Sequence, residues 1–358
     1  MANSTTKPDS DVPHATATAL VAAATTAISP LHPSIIPRLD PEYAAYYNQH
    51  LAHKPGLHEI PWTPDLRLEP PQPGGSVPLT VGSVRDFGVG KFKVRVFTPE
   101  GERPKGGWPG MVYFHGGGWT LGNIDTENQF SSHVCKHART VVVSVDYRLA
   151  PENPYPAAVE DAWEALLWTR ANAENELGID LSRLTVGGSS SGGNLAAILT
   201  HKAALAHPPI PLVFQLLIVP VIDNTANSQN PIYASWSENA HAPSLTPAKM
   251  MWYQGMYLPD TSKRAEWEAS PIFAPDAGFE GSPNGWIAVC ELDVLRDEGV
   301  AYGEKLRKFG KSVEVKVYKS APHPVMAMDG VLQVGRDLIS DACVALAAAL
   351  GTNTESIS

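Results

Sequence analysis

Residues 188–192 read Gly-Ser-Ser-Ser-Gly, three hydroxyls set between glycines where an apolar run, 183–186, gives way to a helix-forming one, 194–206. A serine at the tip of a tight strand-to-helix turn must adopt strained backbone angles, and the residues two positions away crowd it. Glycine at both offsets relieves that crowding. Only Ser190 has glycine at −2 and +2, so it is the candidate nucleophile of a G-x-S-x-G elbow, suited to attack on a carbonyl carbon.

A neutral hydroxyl needs a base. In this strand–elbow–helix arrangement the acid and then the histidine follow the serine in chain order. His201, His207, His241 and His323 are the histidines beyond Ser190. The first two belong to the helix after the serine and its end, and His241 falls in an irregular insertion. His323 follows the last strand pattern, in a loop (320–326) that can swing over the strand ends, and is the expected general base. The acid must lie between them. In the stretch 285–299, Glu291, Asp293, Asp297 and Glu298 compete. Asp297 and Glu298 suit the first turn of a helix on dipole grounds alone, and Glu291 still belongs to the strand. Asp293 sits in the turn and is preferred.

Upstream, the run His115-Gly116-Gly117-Gly118-Trp119 ends another apolar strand. Attack on a carbonyl generates a negative oxygen that needs free backbone amides. Gly116, Gly117 and Gly118 offer them from this loop, and Ser191 offers the amide after the nucleophile. Trp119 is read either as a wall of the acyl pocket or as core.

The elements that must position these groups alternate. Strand patterns at 91–99, 110–117, 140–147, 182–188, 212–221, 285–292 and 312–320 are separated by helical ones at about 126–138, 157–176, 192–206, 297–309 and 329–350. The first strand alternates polar and apolar residues, whereas most of the others are continuous apolar runs, as in strands buried on both faces. The expected fold is α/β: a mostly parallel central sheet with helices on both faces and the site along one edge. Four regions follow: an N-terminal segment, 1–75, with a helix capped by Asp40 and a linker at 70–75; a core at 76–222 and 273–350; an insertion at 223–272 with a helix near 247–257; and a tail, 351–358. The N-terminal segment and the insertion are expected to form a helical cap.

The formal net charge of −10 argues against nucleic acid or an anionic membrane as partner. Cys135, Cys290 and Cys343 form no disulfide framework, which suits a reducing, cytoplasmic compartment. The apolar-leaning run 15–27 is preceded by Asp9 and Asp11 rather than by a basic segment, so it is not read as a secretion signal, and it is too threonine-rich and short to span a bilayer. His133 and His137 share a helix face, but Cys135 points away from them and no further ligand presents itself, so no metal is expected. The Arg148 and Glu152 region is read as structural, tying the sheet edge to the next helix.

With these residues in hand the chain resembles the hormone-sensitive lipase family of α/β-hydrolases, the family IV esterases. The matching motifs lie at 115–119, 146–162, 187–197 and 292–299. The resemblance implies an α/β-hydrolase fold, carboxylic-ester hydrolysis of a small-molecule substrate, no cofactor, and a homodimer through the sheet edge. It also implies a triad of Ser190, Asp293 and His323, with Gly117, Gly118 and Ser191 as oxyanion donors and Gly116 as a substitute. The chain departs from the family pattern at Ser189 and Ser191, which flank the nucleophile, at Val294 after the acid, and at Pro324 after the histidine.

The leading expectation is a serine carboxylesterase acting on small to medium acyl chains. Two alternatives use the same pocket: acyl transfer or elimination on a specialised metabolite, and ligand reception with a disabled triad, against which His323 argues.

Overall fold

Eight strands form one sheet in the order β1-β2-β4-β3-β5-β6-β7-β8. In this computed structural model, which describes residues 29–68, 73–229 and 232–352, they are β1 (Ser83–Val89), β2 (Phe92–Thr98), β3 (Trp108–Phe114), β4 (Val141–Asp146), β5 (Ile179–Ser189), β6 (Phe214–Ile218), β7 (Asn284–Leu292) and β8 (Val313–Pro322). The β1–β2 and β2–β4 pairs are antiparallel and all others are parallel. The sheet is thus mostly parallel, as expected. β1 was not foreseen, and its residues explain why. Ser83, Arg85, Asp86 and Gly88 carry no apolar alternation, because this edge strand is held by backbone bonds to β2 and its side chains are largely solvent-facing.

β3 and β6 are buried at every position and β7 at all but two, and β5 is buried from Leu184 to Ser189, the part that leads to Ser190. Their alternate residues feed two cores on the two faces of the sheet. Val112 and Phe114 join one with Ala165, Leu195, Tyr302 and Leu306, while Met111 and Tyr113 join the other with Phe130, Val134, Leu338 and Leu346. Each fully buried Val, Leu or Phe contributes about 1.5–3 kcal/mol relative to exposure, which is what draws helices onto both sides.

The helices are α1 (Pro41–Tyr46), α2 (Asn128–His137), α3 (Ala157–Asn172), α4 (Ser191–Leu205), α5 (Ser235–Glu238), α6 (Pro247–Tyr257), α7 (Asp276–Gly281), α8 (Arg296–Lys308) and α9 (Gln333–Leu350). α1 begins as its sequence dictates: Asp40 accepts from the amides of Glu42 and Tyr43, and Pro41 occupies the first turn. α6 is capped by Thr246, whose side chain accepts from the Lys249 amide.

The N-terminal segment meets the 223–272 insertion through several contacts. Arg38 donates to the Glu238 carbonyl and to Asn239 Oδ1, each at 3.0 Å, Tyr43 OH bonds Ser244 Oγ at 2.8 Å, and the rings of Trp62 and Trp252 lie 6.1 Å apart. The run 15–27, half of the linker at 70–75 and most of the tail lie outside the described residues. Among the described residues no helix is long and apolar enough to cross a membrane.

Candidate active site

β5 ends at Ser189 and α4 begins at Ser191, leaving Ser190 alone in the turn with φ 52° and ψ −116°. A positive φ at a non-glycine residue costs about 1–3 kcal/mol and persists only where neighbours over-determine it. Here Ser190 N donates to the Ile218 carbonyl of β6 at 2.8 Å, and its own carbonyl accepts from Asn194 N at 3.0 Å. The flanking glycines are required sterically: a Cβ at Gly188 would run into the Gly192 carbonyl, and one at Gly192 into the carbonyls of Phe114 and His115.

The structure brings Ser190, His323 and Asp293 together. His323 Nε2 lies 2.9 Å from Ser190 Oγ, and Nδ1 lies 2.7 Å from Asp293 Oδ2. A carboxylate only accepts, so Nδ1 carries the proton and Nε2 is left to accept from the serine hydroxyl. Ser190 and His323 are each 7% exposed and Asp293 is 0%. Asp293 Oδ1 accepts from Leu295 N at 3.0 Å, and the Asp293 carbonyl accepts from Asn239 Nδ2 at 2.9 Å, so the insertion grips the turn that carries the acid. The competing acids are engaged elsewhere. Glu291 accepts from Ser320 N, Asp297 from Ser235 N, and Glu298 from Ile222 N.

The glycine loop packs beside the elbow, with Gly117 at φ 124° and Gly118 at φ 62°. Among the described residues neither of these amides donates to a protein acceptor. Gly116 differs. Its amide donates to Glu127 Oε1 at 3.3 Å, so it does not serve as the substitute oxyanion donor. Tyr147 OH secures the loop by donating to the His115 carbonyl at 2.8 Å while its ring stacks on His115. Burial pushes His115 down to about 4, so it is neutral, with Nδ1 donating to the Gly116 carbonyl at 2.7 Å.

Trp119 does not wall the pocket. At φ 55° its backbone turns the indole away from the loop and into the core, where it stacks on Tyr257 with centroids 4.4 Å apart and is 0% exposed. A cavity of about 510 Å³ opens over Ser190 and His323, walled by Gly116, Gly117, Gly118, Val221, Met250 and Tyr253 among others, and by Arg67 and Leu68 of the N-terminal segment.

Two cavity residues escaped the sequence reading. Glu127, in a left-handed turn at φ 61°, accepts from Ser189 Oγ at 2.6 Å, from Tyr113 OH at 2.7 Å and from Gly116 N. Burial raises its pKa, against the lowering effect of these donors. Its signal was faint, an acid nine residues past the glycine run's end at Gly118. Lys249 is the other: its Nζ donates to the Ser244 carbonyl at 2.8 Å on the cavity wall. It is the one cation within the run 247–257, a signal that reading the helix as cap packing passed over.

Arg148 forms a forked pair with Asp161 and thereby ties the end of β4 to α3, whereas Glu152 pairs instead with Arg67 of the N-terminal segment. Among the described residues no group of three or more His, Cys, Asp and Glu side chains is placed to hold a metal ion.

A family model described as alpha/beta hydrolase fold matches residues 111–327. An AB hydrolase superfamily protein of Schizosaccharomyces pombe is 46% identical over 337 residues, 91% of this chain and 98% of that protein. Carboxylesterase NlhH of Mycobacterium tuberculosis is 40% identical over 253 residues, 70% of this chain and 73% of that one. A solved ester-hydrolase from the metagenome of Lake Arreo superposes with a TM-score of 0.79 at 31% identity, covering 88% of this chain and 100% of that one.

Proposed function

Because this chain belongs to the α/β-hydrolase fold family, in its hormone-sensitive-lipase-like branch, and is a carboxylic ester hydrolase, we propose that Ser190, His323 and Asp293 are the triad with which it cleaves esters of small to medium acyl chain. The observation that carries the reading is the pair of contacts at 2.9 and 2.7 Å linking hydroxyl, imidazole and carboxylate at the floor of the cavity.

Ser190 Oγ attacks the ester carbonyl as its proton passes to His323 Nε2, and Asp293 stabilises the imidazolium through Nδ1. The carbonyl oxygen, now negative, is met by the amides of Gly117, Gly118 and Ser191. The last of these points from the first turn of α4, where helix amides have no intrahelical acceptor. Each such donor is worth roughly a hundred- to a thousandfold in rate. His323 returns the proton to the leaving alcohol. A water then attacks the acyl-enzyme with His323 again as base, releasing the acid and restoring Ser190.

A cytoplasmic setting is part of the same proposal. Three free, buried thiols, Cys135, Cys290 and Cys343, speak for a reducing compartment. A small-molecule ester as partner and a homodimer through the sheet edge complete it. The test is labelling by a fluorophosphonate probe alongside hydrolysis of an acetate-to-decanoate ester series. We expect label and turnover in the wild type, both lost in Ser190→Ala, with short esters preferred. Label retained by Ser190→Ala would overturn the assignment.

A further inference from the structure

Four acidic or basic side chains besides His323 line the cavity, and three of them are satisfied within the protein. Arg67 pairs with Glu152 and donates to the carbonyls of Thr120 and Ala150. Asp125 pairs with Arg95. Glu127 accepts from three donors. Lys249 differs from all of these. Its ammonium has one neutral partner, the Ser244 carbonyl, and among the described residues no ion pair. Met250, Tyr253 and Leu245 line the same cavity. Lys249 and Tyr253, at i and i+4 on α6, share the face turned to the cavity, and Tyr253 also lies against Gly118 of the oxyanion loop. Lys249 is half-buried, and an ammonium drawn partly out of water without a counter-charge carries a desolvation cost. One carbonyl offsets little of that, whereas an anion arriving in the cavity would offset much of it. Burial has pushed this lysine down to about 8, so it is still mainly charged at neutral pH.

We propose that Lys249 is the specificity-determining residue of this pocket and that it selects esters bearing a single carboxylate, on either the acyl or the alcohol part, by pairing with that carboxylate while the ester lies over Ser190. The inference rests on the serine esterase reading above. A single charge is specified because the other cavity cation, Arg67, is already paired with Glu152, so a dianionic group such as a phosphate monoester would be left half neutralised. The remaining wall, with Val221, Leu245, Met250 and Ala327, suits a short apolar spacer between the two polar ends.

The experiment compares kcat/KM for anionic and neutral isosteres on the full chain by pH-stat. Monoethyl glutarate against ethyl pentanoate tests the acyl side, and para-acetoxybenzoate against para-tolyl acetate tests the alcohol side. On one of the two sides the wild type is expected to favour the anionic ester by about tenfold or more, a preference carried in KM. Lys249→Met should bring that ratio towards unity, and Lys249→Arg should retain it. The wild-type ratio should also fall as pH rises through about 8, where the ammonium loses its proton. That readout needs no variant and decides the matter if Lys249→Met does not fold. Ratios at or below one on both sides, a ratio unmoved in folded Lys249→Met, or a wild-type ratio flat across that pH range would each overturn the proposal. Turnover of the neutral esters and its loss in Ser190→Ala report separately on the triad, so failure of the specificity and failure of the esterase reading are distinguishable.

Discussion

Ser189 Oγ donates to Glu127 Oε1 at 2.6 Å, joining the residue before Ser190, the proposed nucleophile, to a carboxylate that also receives the Gly116 amide. One buried acid thus connects the elbow to the glycine loop, and a change there should move both at once. Glu127 acts through its neighbours and is a positioning residue.

Glu127→Ala should therefore lower kcat more than it raises KM, by about tenfold, and destabilise the fold by roughly 1–3 kcal/mol as the donors of Tyr113 and Ser189 lose their acceptor. Glu127→Gln keeps one acceptor oxygen and should recover part of both losses. Steady-state kinetics with urea unfolding checks this. The raised pKa adds a sign. Between the ordinary value of 4.5 and its folded value the native state binds the extra proton, so this group's contribution to stability falls as pH rises through that window. Glu127→Gln should remove that slope.

Asp293→Asn should leave the protein folded but cut kcat by about 10⁴-fold, because an amide oriented to hydrogen-bond His323 Nδ1 no longer enforces the tautomer that leaves Nε2 free to accept. Single-turnover acylation measures the loss. Retention of near-native acylation would remove the carboxylate from the proposed triad.

Gly118→Ala should be damaging out of proportion to its size. The residue sits at φ 62°, and a Cβ there would collide with the Tyr253 ring. Either the loop or α6 must shift, withdrawing an oxyanion donor, so kcat should drop by roughly a hundredfold. Tyr253→Ala should partly rescue it, which a purely backbone defect would not allow.

Asn239 receives Arg38 through Oδ1 and donates through Nδ2 to the carbonyls of Glu291 and Asp293. Asn239→Leu should cost roughly 1–3 kcal/mol for these unsatisfied groups and lower kcat by loosening the turn that carries the acid. Arg38→Ala, which removes only the outer bond, should have the smaller effect on both. Thermal unfolding and kcat report the two.

His201 is buried between Tyr302 OH, 2.9 Å from Nε2, and Ser282 Oγ, 3.1 Å from Nδ1, and burial lowers it from 6.5 to about 4. Between these values the unfolded chain binds the proton and the native state does not. Stability is therefore full above 6.5 and falls with pH towards 4, by about 1.4 kcal/mol per unit for each such group. His115 carries the same sign. His201→Gln should flatten the acid limb of a stability–pH profile, and an unchanged limb would show that other groups govern acid unfolding.

The apolar runs of β3, β5 and β7 and the Asp40–Pro41 helix start were legible because each depends on residues within a few positions. So was the choice of Ser190, since the steric demand of the elbow falls on its own neighbours. β1 was hidden because Ser83, Arg85, Asp86 and Gly88 break its apolar pattern, and what ties it to β2 is the backbone ladder and the Asp86–Arg95 ion pair. For Trp119 the sequence left pocket wall and core equally open, because its direction follows from one positive φ in the loop. The role of Glu127 was faint because its partner Ser189 lies 62 positions away, and that of Lys249 because its place on the cavity wall follows from how α6 seats beside the glycine loop.

The amino-acid order by itself determined the strand–helix alternation, the glycines that permit the elbow and the loop at 116–118, and the chain order Ser190, Asp293, His323 of the proposed triad. These follow from short-range sterics and from apolar periodicity, which act along the chain. The tertiary structure alone decided which side chains meet. It brought His323 to Ser190 across 133 positions and Glu127 to Ser189 across 62, committed the Gly116 amide while leaving those of Gly117 and Gly118 open, and turned an ammonium into the cavity. Such encounters depend on how the sheet stacks its strands and how the cap seats upon them, a balance of many packed surfaces that no local pattern encodes.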